Sequence, residues 1–195
     1  LSLVWFAGKG WAMDQIERCI LEHGDTAITV LSMGCAIKDW KVRDRHVALG
    51  YRDDDHYRIN PASMGVICGR VANRIENARF TLNDQVYQLP ANNGPHHLHG
   101  GPGGIGRRNW TMEKDGNRAV RLSLVSEDGD QGYPGRVQFE ATLSLDGAKL
   151  TYDMRGVPDC ETPINLAQHV YFNLAGTGTI ADHRLQVNAD SYTPN

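Results

Sequence analysis

Residues 136–154 read RVQFEATLSLDGAKLTYDM, and this stretch decides the fold class. Val137, Phe139, Ala141, Leu143 and Leu145 stand two apart, so in extended backbone they share one face. Asp146-Gly147 supplies a tight turn, and Leu150, Tyr152 and Met154 resume the alternation. An Asp-Gly between two alternating runs is the strongest short-range hairpin signal.

The same grammar recurs outward from that hairpin. NWTMEKDGNRAVRLSLV, residues 109–125, turns at Asp115-Gly116. ARFTLNDQVYQLP, residues 78–90, turns at Asn83-Asp84, with Phe80 and Leu82 before it and Tyr87 and Leu89 after it. TAITVLSMGCAI, HVALGY and MGVICGRV read as further strands, whereas MDQIERCILEHG fits a helical turn or a strand equally well. Turn signals every 8 to 15 residues and 21 glycines predict an all-β architecture: a large antiparallel β-sandwich or barrel, forming a single domain over 1–195. No low-complexity linker or composition break divides it.

Composition narrows the function. Hydrophobic residues at 41% and charged residues at 22% suit a packed globular core. A net charge of −3 gives no basic surface for a phosphate backbone or an anionic membrane, which argues against nucleic-acid and membrane partners. No apolar run approaches the roughly 18 residues a membrane span needs. The opening LSLVWFAGKGWA has no basic leader and makes a poor signal peptide; beginning at Leu1, the chain reads as processed or trimmed at its left end. Cys19, Cys35, Cys68 and Cys160 are scattered in or beside apolar runs, which predicts buried free thiols, a reducing compartment and a cytoplasmic protein.

The chemistry-bearing residues gather in NRIENARFTLNDQVYQLPANNGPHHLHGG, residues 73–101. If GPHHLHGG is extended, His97 and His99 point to one face and His96 to the other. His99 abuts Gly100-Gly101, where backbone can approach a ligand closely. His169, in NLAQHVYFNLAG, is a second isolated imidazole suited to proton transfer near neutral pH. His97, His99 and His169 together would also suit a metal. His23, His46, His56 and His183 read as surface residues. On spacing alone, Arg74 reads as a surface cation paired with Glu76 or Asp84, although a guanidinium fork also binds sugar hydroxyls.

Other motifs fail on context. GPGGIG, residues 101–106, matches G-x-G-x-x-G but lacks the preceding strand and following helix of a dinucleotide fold. Asp53-Asp54-Asp55 lacks the alternation and closing glutamate of a Ca²⁺ loop, so it reads as a solvated loop.

Together, GRVANRIENARFTLNDQVYQLPANNGPHHLHGG, DQGYPG, TPINLAQHVYFNLAGTG and DHRLQVNADSYTP resemble the aldose 1-epimerase family, the galactose mutarotases, in order and spacing. The resemblance runs from about residue 16 to residue 195. It implies a galactose mutarotase-like super-sandwich, incomplete in this chain, and interconversion of the α and β anomers of aldohexoses such as galactose or glucose. It implies a small aldose as the partner, no cofactor and no metal. Residue by residue, it puts the sugar-binding arginine at Arg74, with Asn73, His97 and Tyr171 as further sugar-contacting positions. His99 becomes the sugar-contacting histidine that supports catalysis, and His169 the general acid at the ring oxygen. The chain departs from the family at Gln168-His169-Val170-Tyr171-Phe172 and at Gly104-Ile105-Gly106-Arg107. The family's glutamate base and sugar-binding aspartate have no counterpart. A non-catalytic sugar-binding relative, or a metal-dependent β-sandwich enzyme, are the readings that compete with mutarotation.

Overall fold

The computed structural model describes residues 15–191. The strands are β1 Arg18–His23, β2 Thr26–Leu31, β3 Ala36–Val42, β4 Arg45–His46, β5 Ile67–Cys68, β6 Arg74–Ile75, β7 Arg79–Leu82, β8 Gln85–Gln88 and β9 His97–Leu98. They continue as β10 Thr111–Asp115, β11 Ala119–Ser126, β12 Val137–Asp146, β13 Lys149–Pro158 and β14 Ala167–Gln168, with one helical turn, α1 His56–Ile59. Two four-stranded sheets, β1-β2-β3-β4 and β10-β11-β12-β13, carry the fold, and all their pairings are antiparallel.

Alternation explains how the sheets meet. Val137, Phe139, Ala141, Leu143 and Leu145 of β12 are all buried while their neighbours are wetter. They pack in one cluster with Cys19, Leu21, Ile28, Val30 and Ile37 from the first sheet. Two sheets each apolar on one face have no other way to remove that face from water, so a sandwich follows.

The hairpins turn where the sequence indicates. Asn83 and Asp84 both take positive φ, 50° and 60°, between the paired Leu82 and Gln85, the signature of a type I′ turn. In the long hairpin Asp146 pairs with Lys149, so the two loop residues are Gly147 and Ala148, one step later than Asp146-Gly147.

One open reading is settled and three expectations need correction. Residues 18–23 are a strand, because Cys19 and Leu21 alternate into the core. HVALGY forms no continuous strand; beyond β4 it contributes one bridge, Ala48 with Phe172. MGVICGRV is strand only at Ile67–Cys68, since Gly65 at φ 73° turns the chain before it and the Arg70 side chain plunges inward after it. The acidic run is not merely solvated: Asp54 accepts from Arg18 and Lys38, and the chain leaves it into α1. Burial tends to raise the Asp54 pKa, but those two cations outweigh it and hold the carboxyl below its ordinary value.

All four cysteines are free; Cys19, Cys35 and Cys68 are buried, but Cys160 is exposed, against expectation. The opening LSLVWFAGKGWA lies outside the described residues. Among the described residues no helix is long and apolar enough to cross a membrane.

Candidate active site

Two very short ladders build the site beside the main sheets. In the first, β6 pairs with β9, setting Arg74 opposite Leu98 and Ile75 opposite His97. The β7–β8 hairpin is the excursion between them. The ladder ends in a reciprocal clasp: the His99 N–H donates to Asn73 O at 3.0 Å, and the Asn73 N–H donates to His99 Nδ1 at 3.1 Å. In the second ladder β5 pairs with β14, setting Cys68 opposite Ala167, and the His169 N–H extends it by donating to Val66 O.

A tight turn then holds His99 in place. His99 has φ 53°, followed by Gly100 at 83° and Gly101 at 90°. A Cβ on Gly100 would lie 1.7 Å from Gly69 O, so only glycine lets this loop lie on the backbone leading to Arg70. Gln131 braces the loop from the other side, its Oε1 accepting from the Gly103 N–H at 3.0 Å.

Arg70 locks that brace. It is almost fully buried, and its guanidinium donates to Ser126 Oγ, Thr162 Oγ1 and the carbonyls of Ser126, Glu127 and Pro134. It also lies 5.7 Å from the Tyr133 ring centroid, a cation–π distance. Burial lowers its pKa, with nearby acids acting in opposition. Residues 126–134 are thereby tied to the chain beneath His99.

These elements bring the His99 and His169 rings together, with centroids 5.1 Å apart and planes near perpendicular at 86°. The Tyr171 ring lies 5.2 Å from His169, and its hydroxyl donates to Ala62 O. His99 opens onto a cleft of about 170 Å³ lined also by Asn60, Ser63, Asn93 and Arg107, with Cys68 in its wall. Arg74 reaches this cleft through Asn93, whose Oδ1 accepts from its Nε at 3.0 Å, and its Nη1 donates to Asn73 Oδ1. The expected pairing of Arg74 with Glu76 or Asp84 is not made, because β6 turns the guanidinium toward the asparagines. No carboxylate among the described residues lines the cleft.

Protonation follows from these contacts. Because Nδ1 of His99 accepts the Asn73 N–H, the neutral ring carries its proton on Nε2. Burial, then the neighbouring His169 and Arg74, push the His99 pKa down to about 4. His99 is therefore a neutral hydrogen-bond donor near pH 7.

His97 behaves differently from its expected place on the His99 face. The left-handed turn at His99 breaks the alternation, and His97 is fully buried. Its Nδ1 sits 2.7 Å from Pro90 O and its ring lies edge-on to Tyr133. The three-histidine metal set is thus not assembled; the metal-competent trio among the described residues is Cys68, His99 and His169, whose ligand atoms lie within 4.8 Å of one another. His96 faces away and accepts the Asn77 N–H.

Sequence reasoning passed over Cys68, Asn93, Gln131 and Arg70. An arginine inside the otherwise apolar VICGRVA was the one available signal, since such a group is seldom buried without several acceptors.

The family model described as aldose 1-epimerase matches residues 17–195. The galactose mutarotase of Sus scrofa is 38% identical over 186 residues, 92% of this chain and 54% of that protein. The aldose 1-epimerase of Escherichia coli (strain K12) is 37% identical over 175 residues, 87% of this chain and 49% of that protein. The chain thus spans about half the length of the curated relatives it matches. Among solved structures, an aldose epimerase homologue from C. elegans superposes with a TM-score of 0.81 at 28% identity, covering 86% of this chain and 54% of that one. A galactose 1-epimerase from Lactobacillus acidophilus superposes with a TM-score of 0.71 at 29% identity, covering 80% and 48%.

Proposed function

The chain belongs to the aldose 1-epimerase family, and from that premise we propose that its cleft interconverts the α and β anomers of a small aldohexose such as galactose or glucose. The observation that carries this reading is the His99–His169 pair. One ring is fixed as a neutral donor by Asn73 and by burial, and the second stands edge-on to it at 5.1 Å, so the two imidazoles can take separate roles on one sugar.

In the proposed reaction His169 gives its proton to the ring oxygen O5 as a base takes the proton of the C1 hydroxyl. The C1–O5 bond breaks and C1 becomes an aldehyde. Rotation about C1–C2 presents the other face, and the reverse transfers reclose the ring. His99 Nε2–H donates to a sugar hydroxyl and orients the ring for that transfer. Arg74 donates from its remaining guanidinium N–H groups, while Asn73 and Tyr171 shape the rim. His97 acts from behind, holding the loop through Pro90 rather than touching sugar. In this reading the base is a carboxylate from outside residues 15–191, because no carboxylate among them lines the cleft. Residues 1–195 are then part of one larger sandwich, working in the cytoplasm.

Polarimetry with freshly dissolved α-galactose or α-glucose tests the reading, using a longer protein that joins this chain to the segment supplying the base. Acceleration over the spontaneous rate that His169→Ala removes supports it, with a loss of about 10²-fold or more for a general acid. Saturable sugar binding without acceleration by that longer protein would replace it with the non-catalytic sugar-binding reading.

A further inference from the structure

We propose that Cys68, His99 and His169 form a Zn2+ site whose occupancy blocks the cleft. One sulfur and two imidazole nitrogens lie within 4.8 Å of one another, and two of the three residues, Cys68 and His99, line the cleft. A thiolate with two imidazoles is a donor set that Zn2+ favours, and three protein ligands leave its fourth position for water from the cleft. Around a tetrahedral Zn2+ such atoms stand about 3.5 Å apart. The trio must therefore close by about 1 Å, within reach of small ring and thiol rotations.

The scaffold that would hold the ion is already fixed. Cys68 and His169 belong to, or directly follow, the paired strands β5 and β14, and the glycine turn pins His99 to Gly69. Two neighbours must yield. Ser63 lines the cleft beside Cys68 and must make room for the ion. The Asn73 N–H holds His99 in the tautomer with its proton on Nε2, so ligation at Nε2 shifts that proton to Nδ1 and breaks the Asn73 bond. The thiol proton leaves to solvent as the Zn–S bond forms. Inhibition follows because the metal takes the electron pairs of both histidines; this part rests on the mutarotase reading, whereas the metal site does not.

Titration of the chain with Co2+, followed by displacement with Zn2+, tests the site. The expected result is one metal per chain and a thiolate-to-cobalt charge-transfer band. Cys68→Ser and Cys68→Val lose that band and weaken Zn2+ binding by about 100-fold, while Cys160→Ser keeps both. Matching far-ultraviolet circular dichroism establishes that each variant is folded. No band in the parent chain, or a band that survives both Cys68 substitutions, overturns the site. In polarimetry, saturating Zn2+ slows mutarotation by about 10²-fold, reversibly with a chelator. Metal bound without any slowing overturns the blocking role. Metal bound, with no acceleration even when this chain is joined to the segment that supplies the base, leaves the site standing and overturns the mutarotase reading instead.

Discussion

Replacing Arg70 by methionine should be among the most damaging single changes in this chain. Methionine fills much of the arginine's volume, so the cavity term stays small and the loss falls on hydrogen bonding. The guanidinium serves three main-chain carbonyls, of Ser126, Glu127 and Pro134, and the hydroxyls of Ser126 and Thr162. The hydroxyls can rotate to other partners, but the carbonyls cannot. The Ser126 carbonyl is buried and the Glu127 and Pro134 carbonyls part-buried; a fully buried acceptor left unpaired costs about 1–3 kcal/mol and a half-wetted one less, so the three together cost about 2–5 kcal/mol. That is a large share of the roughly 5–15 kcal/mol that keeps a typical domain folded. Urea unfolding of the parent, Arg70→Met, Arg70→Lys and Thr162→Ala measures the effect. Arg70→Met should lose most, Arg70→Lys less because an ammonium still donates, and Thr162→Ala about 1 kcal/mol. An Arg70→Met midpoint within about 1 kcal/mol of the parent would refute the reasoning, because it would mean water pairs those carbonyls at no loss.

Gly100→Ala places a methyl 1.7 Å from Gly69 O at φ 83°, so the turn must shift; activity should fall by about 10²-fold from a displacement of about 1 Å, read by polarimetry. Gln131→Ala removes the brace on Gly103 and should raise amide hydrogen exchange across residues 100–104 while leaving that of β12 unchanged. His99 has a pKa of about 4 in the fold against an ordinary 6.5, so the unfolded chain binds more protons between those values. Stability should therefore fall as pH drops from about 6.5 toward 4 and level off below, and His99→Gln should flatten part of that slope in thermal melts. His97, lowered mainly by burial despite Pro90, supplies the remainder in the same direction.

The large hairpins were legible because each is a local event. In residues 137–158 the pairing spreads outward from one turn, from Asp146 with Lys149 to Val137 with Pro158, so alternation and a turn signal suffice. The two-residue ladders were not. Cys68 finds Ala167, and Arg74 finds Leu98, through the packing of the whole chain, and neither strand is long enough to show a period. The candidate site residues Arg74, His99 and His169 rest on motif resemblance, whereas the expected place of His97 beside His99 rests on a physical assumption that the structure overturns. Alternation holds only while φ stays extended, and a residue before two glycines is where the chain is freest to leave that region. Cys68 showed no signal beyond its apolar company, since its nearness to the histidines exists only after residues 68 and 167 have paired.

Those two ladders also set an order of events in time. Hairpins such as β12–β13 close short loops and assemble early, whereas joining residue 68 to residue 167 must wait for the intervening chain to be arranged. On dilution from denaturant, the chain should regain its strand content before it regains any affinity for ligand. The delay between those two signals would time the meeting of β5 with β14.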